Sequence, residues 1–200
     1  MILAFDTSSA ACTAALFDGS GTCIGRRDEL IGRGHSERLI PMLAELLEGR
    51  TAQEILVGVG PGSFTGIRVA IAAAHGLAIG WGVELSGMSS LALLAAANDE
   101  AAAVAVTGGH GELFVQEFDA SHEPSSELRN LVPMRAAAKT KAPLVIGSGA
   151  KQLVDARSWG EARQAWPSAA NALNLPPSLR TLAPKPVYAR APDARAMEAA

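Results

Sequence analysis

The sequence predicts an α/β fold whose first half is a βββαβαβα unit. Three observations predict it. A turn signal, Asp18-Gly19-Ser20-Gly21, lies between two strand-like arms. Strand-type and helix-type runs then alternate, with short connections, as far as Ala97. A glycine-rich turn over residues 60–66 opens onto a long helical pattern that reaches Gly80.

Taken in order, residues 2–6 form a short apolar run, and Thr7-Ser8-Ser9 turns the chain. Residues 11–17 and 22–28 are the hairpin arms. With Gly19 and Ser20 at the tip, cross-strand partners have numbers summing to about 39. Cys12 and Cys23 do not meet that condition, so they do not face each other, and two reduced structural thiols are expected. In residues 35–48, Leu39, Ile40, Leu43, Leu46 and Leu47 recur at helical spacing. Pro41 falls among them and predicts a helix start or a kink there. Residues 55–59 are a buried-type strand, and residues 83–86 another, followed by a helix over residues 89–97. The order βββαβαβα is that of an RNase H-like lobe, as used by actin-like ATPases and sugar kinases. Residues 98–100 mark a boundary, giving lobes of 1–98 and 99–200. In the second, residues 104–107, 113–118 and 144–146 read as strands. The stretch after Trp166 reads as irregular, with a frayed Ala-rich end.

Composition bounds the function. Of 200 residues, 48% are hydrophobic and 18% charged, enough to build a compact core. An acidic residue, Asp6, interrupts the opening apolar run before any signal-peptide core forms, and no run of about eighteen uninterrupted apolar residues exists. A cytoplasmic protein without a membrane span is expected. The net charge of −3 divides into −5 for residues 1–100 and +2 for residues 101–200. With few aromatics and no Lys/Arg run, the chain by itself is poorly suited to gripping RNA.

Three segments could carry function. Over residues 64–80 the ionisable side chains are Arg68 and His75 alone. A surface helix normally keeps a broad polar face, so this one is either internal or covered by another protein, and both readings stay open. The turn before it, Gly60-Pro61-Gly62-Ser63-Phe64-Thr65-Gly66, resembles a phosphate-binding turn. It lacks the Lys-Ser/Thr pair of a P-loop and, with Phe64 at its centre, the serine of a nucleophile elbow. A tight turn capped by Ser63 or Thr65 is the favoured reading. Asp6-Thr7-Ser8-Ser9 could position a nucleotide-bound magnesium ion and phosphate, or be a plain turn. His35, His75, His110 and His122 have no metal-ligand spacing, and the cysteines form no CxxC pair. No catalytic or metal constellation is expected.

These residues, with His35-Ser36-Glu37-Arg38-Leu39-Ile40-Pro41-Met42-Leu43, the string Gly58 to Arg68, Gly87-Met88-Ser89-Ser90-Leu91 and Pro186-Val187-Tyr188-Ala189-Arg190, resemble the TsaB (YeaZ) family. The resemblance is strong over residues 1–97 and patchy beyond. It implies an actin/Hsp70-like fold of two lobes with the second reduced. It also implies a non-catalytic dimerising and activating subunit in the transfer of threonylcarbamoyl to N6 of adenosine 37 in tRNA. The implied partners are a TsaD-like paralogue and a TsaE-like ATPase, with a second copy of the chain as the alternative and tRNA reached through the complex. The implied partner contact lies on the helices starting at residues 35 and 64, at His35, Leu39, Leu43, Ile67, Ala70, Ala74 and Leu77. No cofactor of its own is expected, ATP or ADP at Asp6–Ser9 being the alternative. The paralogue's two metal-binding histidines fall on Ser90 and Leu94. Where the family often has Asp-Ala-Arg, this chain has Thr107-Gly108-Gly109-His110. The rival reading is an actin-like ATP-binding enzyme or an M22-type metallopeptidase-like protein.

Overall fold

The computed structural model describes residues 1–189; Arg190 and the frayed end expected from the sequence lie outside them. The first half contains β1 (Ile2–Asp6), β2 (Ala11–Phe17), β3 (Cys23–Leu30), α1 (His35–Leu47), β4 (Glu54–Gly58), α2 (Phe64–Trp81), β5 (Glu84–Met88) and α3 (Ser90–Ala95). The second contains β6 (Ala102–Thr107), β7 (Leu113–Phe118), β8 (Arg129–Leu131), α4 (Pro133–Ala137), β9 (Leu144–Ile146), α5 (Ala150–Arg157), β10 (Glu161–Arg163) and α6 (Pro177–Arg180). Two five-stranded sheets result, with orders β3-β2-β1-β4-β5 and β10-β9-β6-β7-β8.

Strand alternation sets the layers. In β1, Leu3 and Phe5 face one way and pack with α1 and α2, while Ala4 faces the other. That second face meets α3, whose six residues are all buried, and beyond α3 lie Val104, Phe114 and Ile146 of the second sheet. The far face of the second sheet packs on α4 and α5 through Ala136, Ala150 and Leu153. One core therefore joins the two sheets through α3. Residues after Trp166 return to the first sheet. A 3-10 turn, Ala169–Asn174, packs on β1, β2 and β3, and Leu182 pairs with Gly87 at the open edge of β5.

The hairpin differs from the expected register. Ala11 pairs with Leu30 and Leu16 with Gly25, so partner numbers sum to 41, with an irregularity between Leu16 and Phe17. Asp18 is the reason. Its carboxylate accepts the N–H groups of Ser20 (2.8 Å) and Thr22 (3.0 Å), which organises a longer loop than a two-residue turn. Cys12 thus lies opposite Glu29 and Cys23 opposite Phe17, and both thiols are free. Burial first, and then the Glu29 carboxylate, push the Cys12 thiol up to about 11. A raised value keeps it a neutral, poorly nucleophilic thiol at pH 8. Iodoacetamide at pH 8 is expected to modify the exposed Cys23 quickly and Cys12 only after denaturation; two equally fast thiols in the native chain would contradict this packing.

Pro41 does not start α1, which runs through it from His35. It sits on the exposed side with Glu37, whose carbonyl loses its helical partner where water can replace it. Arg38 holds α1 to β3, donating to Glu29 at 2.7 Å through Nε and to Glu45 at 2.8 Å. The stretch after Trp166 is less irregular than expected, and β8, β10, α4 and α5 are short elements that carry no long periodic signal.

Candidate functional site

Asp6 ends β1 fully buried, and both its carboxylate oxygens are occupied. Oδ1 accepts the N–H and the hydroxyl of Ser8, each at 2.7 Å, and Oδ2 accepts the Ser90 hydroxyl. Ser90 Oγ in turn accepts the Gly60 N–H at 3.0 Å. The glycine turn folds against this bend. Thr7 Oγ1 donates to the Gly66 carbonyl (2.7 Å), and the Ser63 N–H donates to the Ser8 carbonyl (2.6 Å). Such closeness needs glycine: a Cβ on Gly58 would lie 1.7 Å from Asp6 Oδ2, and one on Gly66 would lie 1.9 Å from the Thr7 carbonyl. Ser63 caps α2, its Oγ accepting the Gly66 N–H at 3.2 Å, while Thr65 is exposed. Hence Gly62, Ser63 and Gly66 pack on Thr7 and Ser8, Gly60 is tied to Asp6 through Ser90, and the N–H groups of Ser63 and Gly66 are engaged within the chain.

A cleft of about 940 Å³ opens between the sheets. Ser8 and Ser9 line it, as do His35 at the start of α1, Thr65 and Val69 of α2, and the Gly108–His110 turn after β6. Asp6 and Thr7 lie behind this wall. Among the described residues no Asp or Glu lines the cleft, and its charged or titratable side chains are Arg33, His35, His110 and Tyr188. His110 takes a left-handed backbone, φ 60°, that costs a non-glycine residue energy. The described residues hold no group of three or more His, Cys, Asp and Glu placed to share a metal ion.

The helices expected to meet a partner divide sharply by face. Leu39, Leu43, Ile67, Ala70 and Ala74 are buried in the chain's own core against the first sheet, which removes them from a partner-facing surface. His35 and Leu77 are half-buried. The outward stripe of α2 is instead Arg68, Ala72, His75, Gly76 and Ile79, the last 82% exposed. These positions were marked in the sequence: Arg68 and His75, seven apart, define one helical face, and the other three share it. α2 has the length and apolar composition of a membrane-crossing helix, a property that core helices share, and 28% of it is buried. In this fold its inner side packs on β4 and β5.

A protein-family comparison matches residues 27–141 to TsaD: tRNA N6-adenosine threonylcarbamoyltransferase. YeaZ from Pseudomonas aeruginosa superposes with a TM-score of 0.78 at 28% identity, covering 94% of this chain and 98% of that one. The chain belongs to the TsaB (YeaZ) family. The tRNA threonylcarbamoyladenosine biosynthesis protein TsaB of Escherichia coli is 40% identical over 99 residues, which is 47% of this chain. That match spans 42% of the relative's length. The ethanolamine utilization protein EutJ of Carboxydothermus hydrogenoformans, 13% identical with a TM-score of 0.51, shares the fold alone. The fold of this TsaB-family chain is actin-like, α/β and two-lobed, its second sheet shortened to three-residue strands at β8, β9 and β10. Ser90 and Leu94 are both buried, the first bonded to Asp6 and the second in the shared core.

Proposed function

We propose that this chain is the non-catalytic activating subunit of the assembly that transfers threonylcarbamoyl to N6 of adenosine 37 in tRNA. It docks a TsaD-like paralogue through the outward stripe of α2. A TsaE-like ATPase joins the pair, and tRNA is reached through the complex. The observation that carries the reading is the stripe itself: an 18-residue helix leaves Ala72, Gly76 and Ile79 in solvent with no acidic residue on the whole element. Exposed apolar surface of this kind marks a contact, and small residues four apart let a second helix backbone come close. The curated relatives' name supports the pathway. The engagement of both Asp6 oxygens, and Ser90 and Leu94 at the two histidine positions, support a chain without transfer chemistry of its own.

The test is threonylcarbamoyladenosine formation on tRNA with the matching TsaD, TsaE and threonylcarbamoyl-adenylate, with and without this chain. Product is expected only when the chain is present, and none from the chain alone. Product formed equally well without it would overturn the reading. Gly76→Trp sharpens the test, because a Cβ at Gly76 meets nothing within 4 Å in the chain itself. The variant is expected to keep its fold while binding the paralogue at least ~100-fold more weakly, as an overfilled contact centre does. Unchanged affinity would place the contact elsewhere.

A further inference from the structure

Three side chains form a cluster at the N-terminal end of the α2 stripe. The Arg68 guanidinium lies 3.5 Å from the centroid of the Phe64 ring. Tyr188, brought from the far end of the chain, stacks on Phe64 with centroids 5.2 Å apart, and its hydroxyl accepts the Arg68 Nε–H at 3.1 Å. Tyr188 is placed there by backbone pairing, since the Val187 N–H donates to the Val59 carbonyl at 2.8 Å. Phe64 is 47% and Tyr188 43% exposed, so the cluster is a surface feature. Among the described residues the two terminal nitrogens of Arg68 have no hydrogen-bond or ion-pair partner.

We propose that Arg68 is the polar anchor of the partner-facing surface, presenting its free guanidinium edge to a carboxylate on a partner helix. This rests on the reading of α2 as the docking helix. The physical case is preorganisation. A guanidinium held over a ring, with Nε already tied, keeps its fork free for a bidentate carboxylate and loses little side-chain freedom on binding. Charge selects the occupant: the ionisable groups of α2 are Arg68 and His75, both basic, so an acidic residue on the partner matches and a basic one is repelled. Arg68 does not line the cleft and stands on the same outward stripe as Ala72, Gly76 and Ile79. The occupant is therefore a protein helix that lies along that stripe, with a carboxylate at one end and small or apolar residues beyond it.

The experiment measures binding of the purified TsaD-type paralogue from the same organism to the full chain and its variants, with melting temperature as the fold control. Arg68→Gln is expected to weaken binding about 10- to 100-fold, the size of a preorganised arginine–carboxylate contact. Arg68→Lys should recover little, because an ammonium cannot offer the fork. Arg68→Glu should bind about tenfold more weakly again than Arg68→Gln, a repulsion that loss of packing alone does not produce. Tyr188→Phe keeps the stack, frees Nε and should cost a few-fold. Equal affinities for Arg68→Gln and Arg68→Glu would overturn the proposal, since no carboxylate then faces the residue. If Gly76→Trp abolishes binding and Arg68→Gln does not change it, the docking face stands and the anchor is wrong. If neither variant changes binding, the face itself is wrong, and the anchor falls with it. Self-association of the chain that responds to Arg68→Gln, with paralogue binding unchanged, assigns the anchor to a second copy and likewise overturns the proposal.

Discussion

Ala74→Glu is expected to unfold the chain rather than merely to release a partner. Ala74 is fully buried among Ile67, Ala70 and Ile71 on the sheet side of α2. A glutamate there has no cation to pair with in an apolar cluster, so it must either stay ionised at great cost or take up a proton far above its normal range. Extra volume in a close-packed core adds strain. Together these amount to about 5 kcal/mol or more, comparable with the whole stability of an ordinary domain. Circular dichroism and a thermal melt check it: loss of the cooperative transition at 25 °C is expected, and a variant that melts within a few degrees of wild type would show that α2 is turned the other way. The outward Gly76→Ala is the control. It is expected to raise stability by up to about 1 kcal/mol, the helix-propensity difference between the two residues.

Gly58→Ala is expected to have the next largest effect on the fold. The added methyl would stand 1.7 Å from Asp6 Oδ2. Asp6 has nowhere to retreat, because it is fully buried and held by Ser8 on one oxygen and Ser90 on the other. Expelling the carboxylate strands a buried charge away from its donors, a loss of roughly 3–5 kcal/mol. For a chain of this size the melting temperature should fall by about 10 °C or more. A double-mutant cycle isolates the cause. Asp6→Ala removes the obstacle, so adding Gly58→Ala to it should cost much less than adding it to wild type. Additive losses would show that the close approach is not what the glycine serves.

Much of the first lobe was legible because its signals are local. Residues 2–6, the hairpin arms and the leucines of α1 announce their elements by period and by turn chemistry. The second lobe was less legible because its strands β8, β9 and β10 have three residues each, too short to show a period, and are held by pairing with distant neighbours. The hairpin register failed for a related reason. One side chain, Asp18, chose a longer loop than the glycines suggested, and the partners of residues 11–16 moved by two.

The candidate site divides in the same way. The sequence alone determined the βββαβαβα order, the resemblance to the TsaB family and the unusual apolarity of residues 64–80. It also held Arg68 and His75, which mark the outward side of that helix. What those two positions left open was how many of the other residues are buried, because the rest of the helix is apolar or small all round. Packing against β4 and β5 decided that, burying Ile67, Ala70 and Ala74 and leaving Ala72, Gly76 and Ile79 outside. Nor could the sequence alone bring Ser90 to Asp6 or Tyr188 to Arg68, pairs separated by 84 and 120 positions. Neighbourhoods of that kind are made by the sheet and by the returning chain end, and they exist only once the chain has folded.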